Sequence, residues 1–173
     1  MTRLIAGALA TLVFAPSIAA AQNPMMDSVK AQHDQVKGYI MKTAEAVPEN
    51  LYSFKATPEV RTIGQLLGHI ADATIAICGN AGGGKAAPIG AEKSMTTKAQ
   101  LTQALTNAFA VCDKVIAGMT DAQAMETTKF FIGGQSTRGM MIAFNTAHNF
   151  EHYGNLVTYM RLNKMVPPST AGS

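Results

Sequence analysis

The chain contains no tryptophan, and aromatic residues amount to 6% of it, so any core must be built mainly from aliphatic side chains. Charge is scarce too: Asp, Glu, Lys and Arg make up 14%, and the formal net charge of +3 comes from scattered basic residues. That distribution excludes a nucleic-acid footprint. No Gly-x-x-x-x-Gly-Lys-Ser/Thr phosphate loop occurs, and Gly82-Gly83-Gly84 reads as a flexible linker. A Cys-x-x-Cys-His haem-attachment motif is missing as well. Repeats, long heptad runs and strand-period alternation are absent, which removes solenoids, coiled coils and sheet folds. Past the N-terminal segment no apolar run approaches the ~20 residues of a spanning helix, so no stable membrane anchor is expected.

The first 21 residues read as a leader rather than as part of the fold. Arg3 gives a positive start, Leu4 to Ala15 form a short apolar run, and Ala19-Ala20-Ala21 supply the small-x-small pattern of a secretory cleavage site. Cleavage is expected after Ala21, leaving one domain over residues 22–173 in the periplasm or outside the cell. An uncleaved anchor is the alternative. At 152 residues such a domain buries ~70% of its unfolded surface without staples. Cys78 and Cys112 are the only cysteines, and in an oxidising compartment they suggest one disulfide, with two separate buried thiols as the alternative.

Four long helices are predicted. In the first, over 25–46, Val29, His33, Val36, Ile40, Thr43 and Val47 form one stripe at steps of four and three, and Pro48 ends it. Leu51, Tyr52 and Phe54 then fold back onto the core. Thr62-Ile63-Gly64-Gln65 has capping-box spacing, and the second helix carries Ile63, Leu66, Leu67, Ile70, Thr74 and Ile77 to an end near Gly79. A second box, Thr97-Lys98-Ala99-Gln100, opens the third helix, with Leu101, Leu105, Ala108, Cys112 and Val115 on one face. A short turn follows at Thr120, and residues 126–136 read as irregular. The last helix runs from Ser136 or Thr137 to about Asn163 with Met141, Phe144, His148, His152, Asn155 and Tyr159 on its inner stripe. Pro167-Pro168 closes the domain.

These elements predict an all-α four-helix bundle. The connection over residues 79–96 is long, and 18 residues can reach ~59 Å when extended whereas a helix of that length spans only ~27 Å. It can run the length of the bundle and make the second and third helices parallel. Cys78 and Cys112 would then lie at the same end, so the crossover and the disulfide support each other.

Chemistry concentrates at Ala147-His148-Asn149-Phe150-Glu151-His152, where two of only four histidines stand four residues apart. At that spacing both side chains lie on one helix face about a turn, or ~6 Å, apart. Two imidazoles so placed are half a site for a first-row divalent ion; a hydrogen-bonded pair of core histidines is the alternative. A third histidine ligand would have to be His33 or His69. His33 faces inward and reads as a fourth ligand, a partner to a ligand, or a satisfied core residue. Asp72 and Glu151 are the candidates for orienting an imidazole. Tyr52, Tyr153, Phe130 and Phe131 could line a pocket, and Gly68 would permit close helix packing.

Two blocks make the chain similar to the DinB/YfiT-like superfamily of bacterial four-helix bundles. One is Val47-Pro48-Glu49-Asn50-Leu51-Tyr52 through Arg61-Thr62-Ile63-Gly64-Gln65-Leu66-Leu67-Gly68-His69-Ile70-Ala71-Asp72-Ala73; the other is His148 through Leu162, followed by Pro167-Pro168. The resemblance implies an up-down-down-up bundle and a divalent metal on one histidine of the second helix and two of the last. By position these are His69, His148 and His152. Where relatives often read His-Arg-Gly-Gln after the last ligand, this chain has His152-Tyr153-Gly154-Asn155, and Glu151 replaces a frequent extra histidine.

The expected cofactor is thus a divalent ion, zinc or nickel foremost, with iron or manganese as further candidates. Three neutral imidazoles leave a coordination position for water or a small-molecule substrate, which suits a metal-dependent hydrolase or transferase. The resemblance also implies thiol-dependent transfer or isomerisation, against which export weighs because such thiols are cytosolic. A plain metal-binding protein, a haem-holding electron-transfer bundle using Met and His, and a ligand-free bundle acting through a partner or as a homodimer are the rival readings.

Overall fold

The computed structural model of the protein describes residues 23–130 and 133–172. The expected leader, its cleavage point after Ala21 and Phe131 lie outside the described residues. Helix α1 covers Pro24–Ala46 and is followed by a 3-10 turn at Glu49–Leu51, then α2 over Ile63–Ala81, a single turn α3 at Ala91–Ser94, α4 over Lys98–Ala117 and a second single turn α5 at Asp121–Ala124. Strands β1 (Thr127–Lys129) and β2 (Gln135–Thr137) precede the last helix, α6, over Arg138–Leu162.

Both predicted capping boxes form: Thr62 accepts from the Gln65 amide and Thr97 from the Gln100 amide, while each glutamine returns the bond. A third box at Thr120 opens α5. The N-terminus of α1 is capped from a distance, since the Asp121 carboxylate accepts from the Met25 and Met26 amides at 3.1 and 2.9 Å. An acidic group there satisfies donors that no helix can satisfy internally.

The four long helices form an all-α bundle in which α1 neighbours α4 and α6, and α2 neighbours the same two. Directions follow from contacts at the ends. Lys98 at the start of α4 reaches the Glu45 and Val47 carbonyls at the end of α1, so these helices are antiparallel. Arg138 Nε at the start of α6 donates to the Ala81 carbonyl at 2.7 Å, and Tyr159 near its end donates to the Arg61 carbonyl at 3.1 Å, making α6 antiparallel to α2. The Cys78–Cys112 disulfide, Cα–Cα 5.0 Å, joins the C-terminal halves of α2 and α4, which are parallel. The up-down-down-up order is the one the long crossover permits.

Two apolar clusters fill the bundle. One, around Ile40, Leu67, Leu105 and Leu156, occupies the end where α2 begins; the other, around Met26, Ile77, Cys112 and Met141, packs about the disulfide. Buried His33, Thr74, Asn145, Thr146 and Asn149 lie between them along their helices. Tyr52 is buried and its hydroxyl donates to the Ala44 carbonyl at 2.9 Å, while Leu51 and Phe54 pack partly buried against the same cluster.

Three sequence expectations change. Residues 126–136 are not wholly irregular: β1 and β2 pair antiparallel with Thr128 opposite Ser136. The crossover is not merely a flexible tether, since α2 runs on to Ala81 and α3 packs on its face. The buried arc of α6 is broader than one stripe, taking in Ile142, Asn145, Asn149, Tyr153, Leu156 and Met160, because the helix packs on α1 and α2 together. Asn155, read as inward, is exposed. Among the described residues no helix is long and apolar enough to cross a membrane.

Candidate metal centre

His69 projects from the middle of α2, and His148 and His152 from successive turns of α6, at the level where the two antiparallel helices cross. Their Nε2 atoms converge. His69 Nε2 lies 3.2 Å from His148 Nε2, and His152 Nε2 lies 3.0 Å from the same atom. Nitrogens bonded at 2.0–2.1 Å to one tetrahedral ion sit ~3.3 Å from each other, so the cluster has the span of a metal-ligand set. The side chains are half-buried at His69 and His148 and buried at His152.

Hydrogen bonding alone does not account for this convergence. Three nitrogens facing one point cannot all find protons to accept or lone pairs to meet. The Nδ1 atom of His152 is buried with no partner among the described residues. Burial first, then the neighbouring His148 and His69, pushes His152 down to about 4. His148 is lowered as well, by burial and then by His69. Both rings are therefore neutral near pH 7, the form in which imidazole binds metal. The residues present fit a divalent ion.

His69 is held by a residue the sequence reading missed. Its Nδ1 donates to Glu92 Oε2 at 2.8 Å, which fixes the tautomer and turns the Nε2 lone pair to the centre. Burial alone would raise the Glu92 carboxyl, but hydrogen bonds from Arg61 and His69 outweigh it and hold it below the usual range. Arg61 Nε donates to the other oxygen at 2.8 Å. Glu92 stands 23 residues from His69 on the α3 turn, and no helical period links the two. Asp72, expected to orient a histidine, instead accepts from the Ala91 and Glu92 amides at 3.0 Å each and so docks that turn on α2. Glu151 is exposed, and it bonds to no histidine among the described residues. Gly68 completes the arrangement: a Cβ there would lie 2.6 Å from the Glu92 nitrogen and 2.7 Å from its Cα. The close packing expected of Gly68 is real, but its neighbour is the crossover turn rather than another long helix.

His33 is buried elsewhere, bonded through Nε2 to Asp113 Oδ1 at 2.9 Å and edge-on to Phe109. It is not one of the converging histidines. Of the aromatic candidates, Tyr153 stacks on Tyr39, and Phe130 meets the edge of Phe144. Phe144 stacks in turn on His148 and lines a cleft of about 770 Å³ that opens beside His69 and His148.

Glu92→Gln should weaken zinc binding by 10–100-fold, the usual cost of losing a carboxylate behind a ligating histidine. Gly68→Ala should do the same without touching any polar group, because it lifts α3 off α2. Competition titration with a chromophoric chelator measures the loss, and unchanged far-ultraviolet circular dichroism would show that the bundle is intact. Affinity within twofold of the parent in both variants would contradict this role for Glu92.

Residues 32–156, which include all three converging histidines, match the model of the DinB superfamily, and the chain belongs to it. Similar solved structures include a DinB-like protein from Bacillus cereus, with TM-score 0.71 and 15% identity over 82% of this chain and 95% of that one. A conserved protein from Enterococcus faecalis gives 0.66 and 14% over 82% and 98%. A mutant form of a mycothiol-dependent maleylpyruvate isomerase gives 0.63 and 14% over 76% of this chain and 60% of that one. At these identities the likenesses establish the fold. No curated protein gave a match.

Proposed function

We propose that this DinB-superfamily chain is an exported protein that holds one divalent ion, zinc or nickel foremost, on His69, His148 and His152, and acts through it on a small molecule. The observation that carries the reading is the convergence of three Nε2 atoms, His148 Nε2 lying 3.2 Å from that of His69 and 3.0 Å from that of His152. A bound ion would supply Lewis-acid polarisation of a substrate oxygen or acidification of a water. The chain's own contribution is to hold His148 and His152 neutral by burial, to fix the His69 tautomer through Glu92, and to keep Glu92 ionised through Arg61.

Three neutral protein ligands leave a coordination position open, which supports a hydrolase or transferase over a closed structural site. Both cysteines are joined to each other, so neither serves as a nucleophile. Export is supported by the leader pattern at residues 1–21 and by that disulfide, which belongs to an oxidising compartment. A thiol-dependent reaction, suggested by the similarity to the mycothiol-dependent isomerase, suits this compartment less. Haem suits the geometry less still: a macrocycle on any one of the three imidazoles would have to displace the other two.

Elemental analysis of protein exported and purified without a histidine tag or chelator tests the centre. Close to one equivalent of zinc or nickel per chain is expected. If the protein takes up less than about a tenth of an equivalent even after reconstitution, the three-histidine reading fails.

A further inference from the structure

The cleft beside the histidines has a composition that selects its ligand. It is lined by Ala73, Ala76 and Ile77 of α2, Ala86 and Pro88 of the crossover and Phe144 of α6, together with His69 and His148. Asn80 Nδ2 donates to the Ala76 and Ala86 carbonyls at 2.6 and 2.9 Å, which ties the crossover wall to α2. The cleft's volume of about 770 Å³ falls within the 300–1,000 Å³ typical of small-molecule sites.

Charge decides the rest. Two carboxylates line the cleft, and both are engaged: Asp72 by two backbone amides, Glu92 by Arg61 and His69. Lys93 lines it too, and its ammonium has no hydrogen bond or ion pair among the described residues. The Arg61 guanidinium, outside the cleft's lining, offsets the Glu92 charge through its Nε bond to that carboxylate. On the proposed metal reading, three neutral imidazoles leave the ion's +2 charge undiminished. Without an ion these charges balance, Lys93 and Arg61 against Asp72 and Glu92, but Lys93 alone of the charged lining has no partner among the described residues, and an ion on the histidines would make the apolar trough positive.

We propose that this cleft binds a small organic monoanion with an apolar body, an aryl or alkyl carboxylate, its body against Phe144 and the residue 86–88 wall and its charge toward the histidines and Lys93. The inference deepens the metal reading and rests on it for part of the charge. Lys93 supplies a local anion contact that does not need the ion.

Isothermal titration of the mature chain with benzoate, with the isosteric neutral benzamide and with acetate tests this, in zinc-loaded and metal-stripped protein. Methyl NMR of Ile77 and Ala86 reports where binding occurs. Benzoate should bind the zinc-loaded protein at least tenfold more tightly than benzamide or acetate and shift the Ile77 and Ala86 methyls. Lys93→Glu, an exposed change that leaves the fold intact, should weaken benzoate 3–10-fold and leave benzamide unmoved. Benzamide matching benzoate would overturn the charge argument, acetate matching it would overturn the apolar body, and binding that leaves those methyls unshifted would overturn the location. Failure of all three to bind overturns the cleft itself. Should the protein hold no zinc, the stripped protein decides: a roughly threefold benzoate preference abolished by Lys93→Glu sustains the anion cleft, and no preference sinks it.

Discussion

Replacing His148 and His152 together with alanine is expected to empty the protein of metal, from close to one zinc per chain in the parent to less than about a tenth. One imidazole cannot hold the ion once the paired ligands of α6 are gone. Thermal denaturation gives a second reading of the same event. At free zinc a hundredfold above its dissociation constant, binding adds ~2.7 kcal/mol to the parent's stability. For a domain of this size that raises Tm by about 5–10 °C, whereas the double variant should show no shift. A variant that keeps its zinc and its zinc-dependent Tm would place the ion elsewhere.

Acid adds a test in which the sign matters. Burial and the neighbouring rings hold His152 at about 4 rather than the ordinary 6.5. Between those values the unfolded chain takes up a proton that the metal-free folded protein refuses. Stability of the metal-free parent is thus complete above pH 6.5 and falls as the pH drops toward 4. The double variant lacks these groups, so its urea midpoint should change less across that interval. Equal slopes in both proteins would mean that the centre's imidazoles are not the groups held neutral by folding.

Much of this architecture is legible from local rules. Thr62 and Thr97 announce helix starts because a capping box needs only four consecutive residues. The stripe from Ile63 to Ile77 is buried as its period demands. The His148/His152 pair needs nothing beyond helical geometry, but His69 needed the family likeness, since no single-helix period relates α2 to α6. Glu92 was illegible for a different reason. A carboxylate on a four-residue helical turn carries no periodicity, and its role exists only because Gly68 and Asp72 hold α3 on α2. Strands of three residues, as at Thr127–Lys129, are too short for alternation to register. Phe109, buried against His33 on the face of α4 beside the expected stripe, shows that two neighbouring helices widen a buried arc beyond what one moment reveals.

The disulfide should carry the largest effect on stability and almost none on metal. Cys78 and Cys112, both fully buried, close a loop with a sequence separation of 34. In the chain-entropy treatment a cross-link of that length restricts the unfolded chain by about 3–4 kcal/mol. Losing it should lower Tm by roughly 10 °C for a domain of this size. Two routes reach the same state: reduction of the parent, and the Cys78→Ala/Cys112→Ala variant. Agreement between them assigns the loss to the cross-link, whereas a larger drop in the alanine pair measures the packing of the sulfurs beside Asn145, whose Nδ2 lies 3.8 Å from Cys112 Sγ. Zinc content should remain near one per chain, because nine residues of α2 place Cys78 ~13 Å along the axis from His69. A Tm change under about 2 °C would show that residual structure already restricts the unfolded chain between these cysteines without the bond. Loss of zinc on reduction, with the helices intact, would show that the disulfide fixes the placement of α2 on which the centre depends.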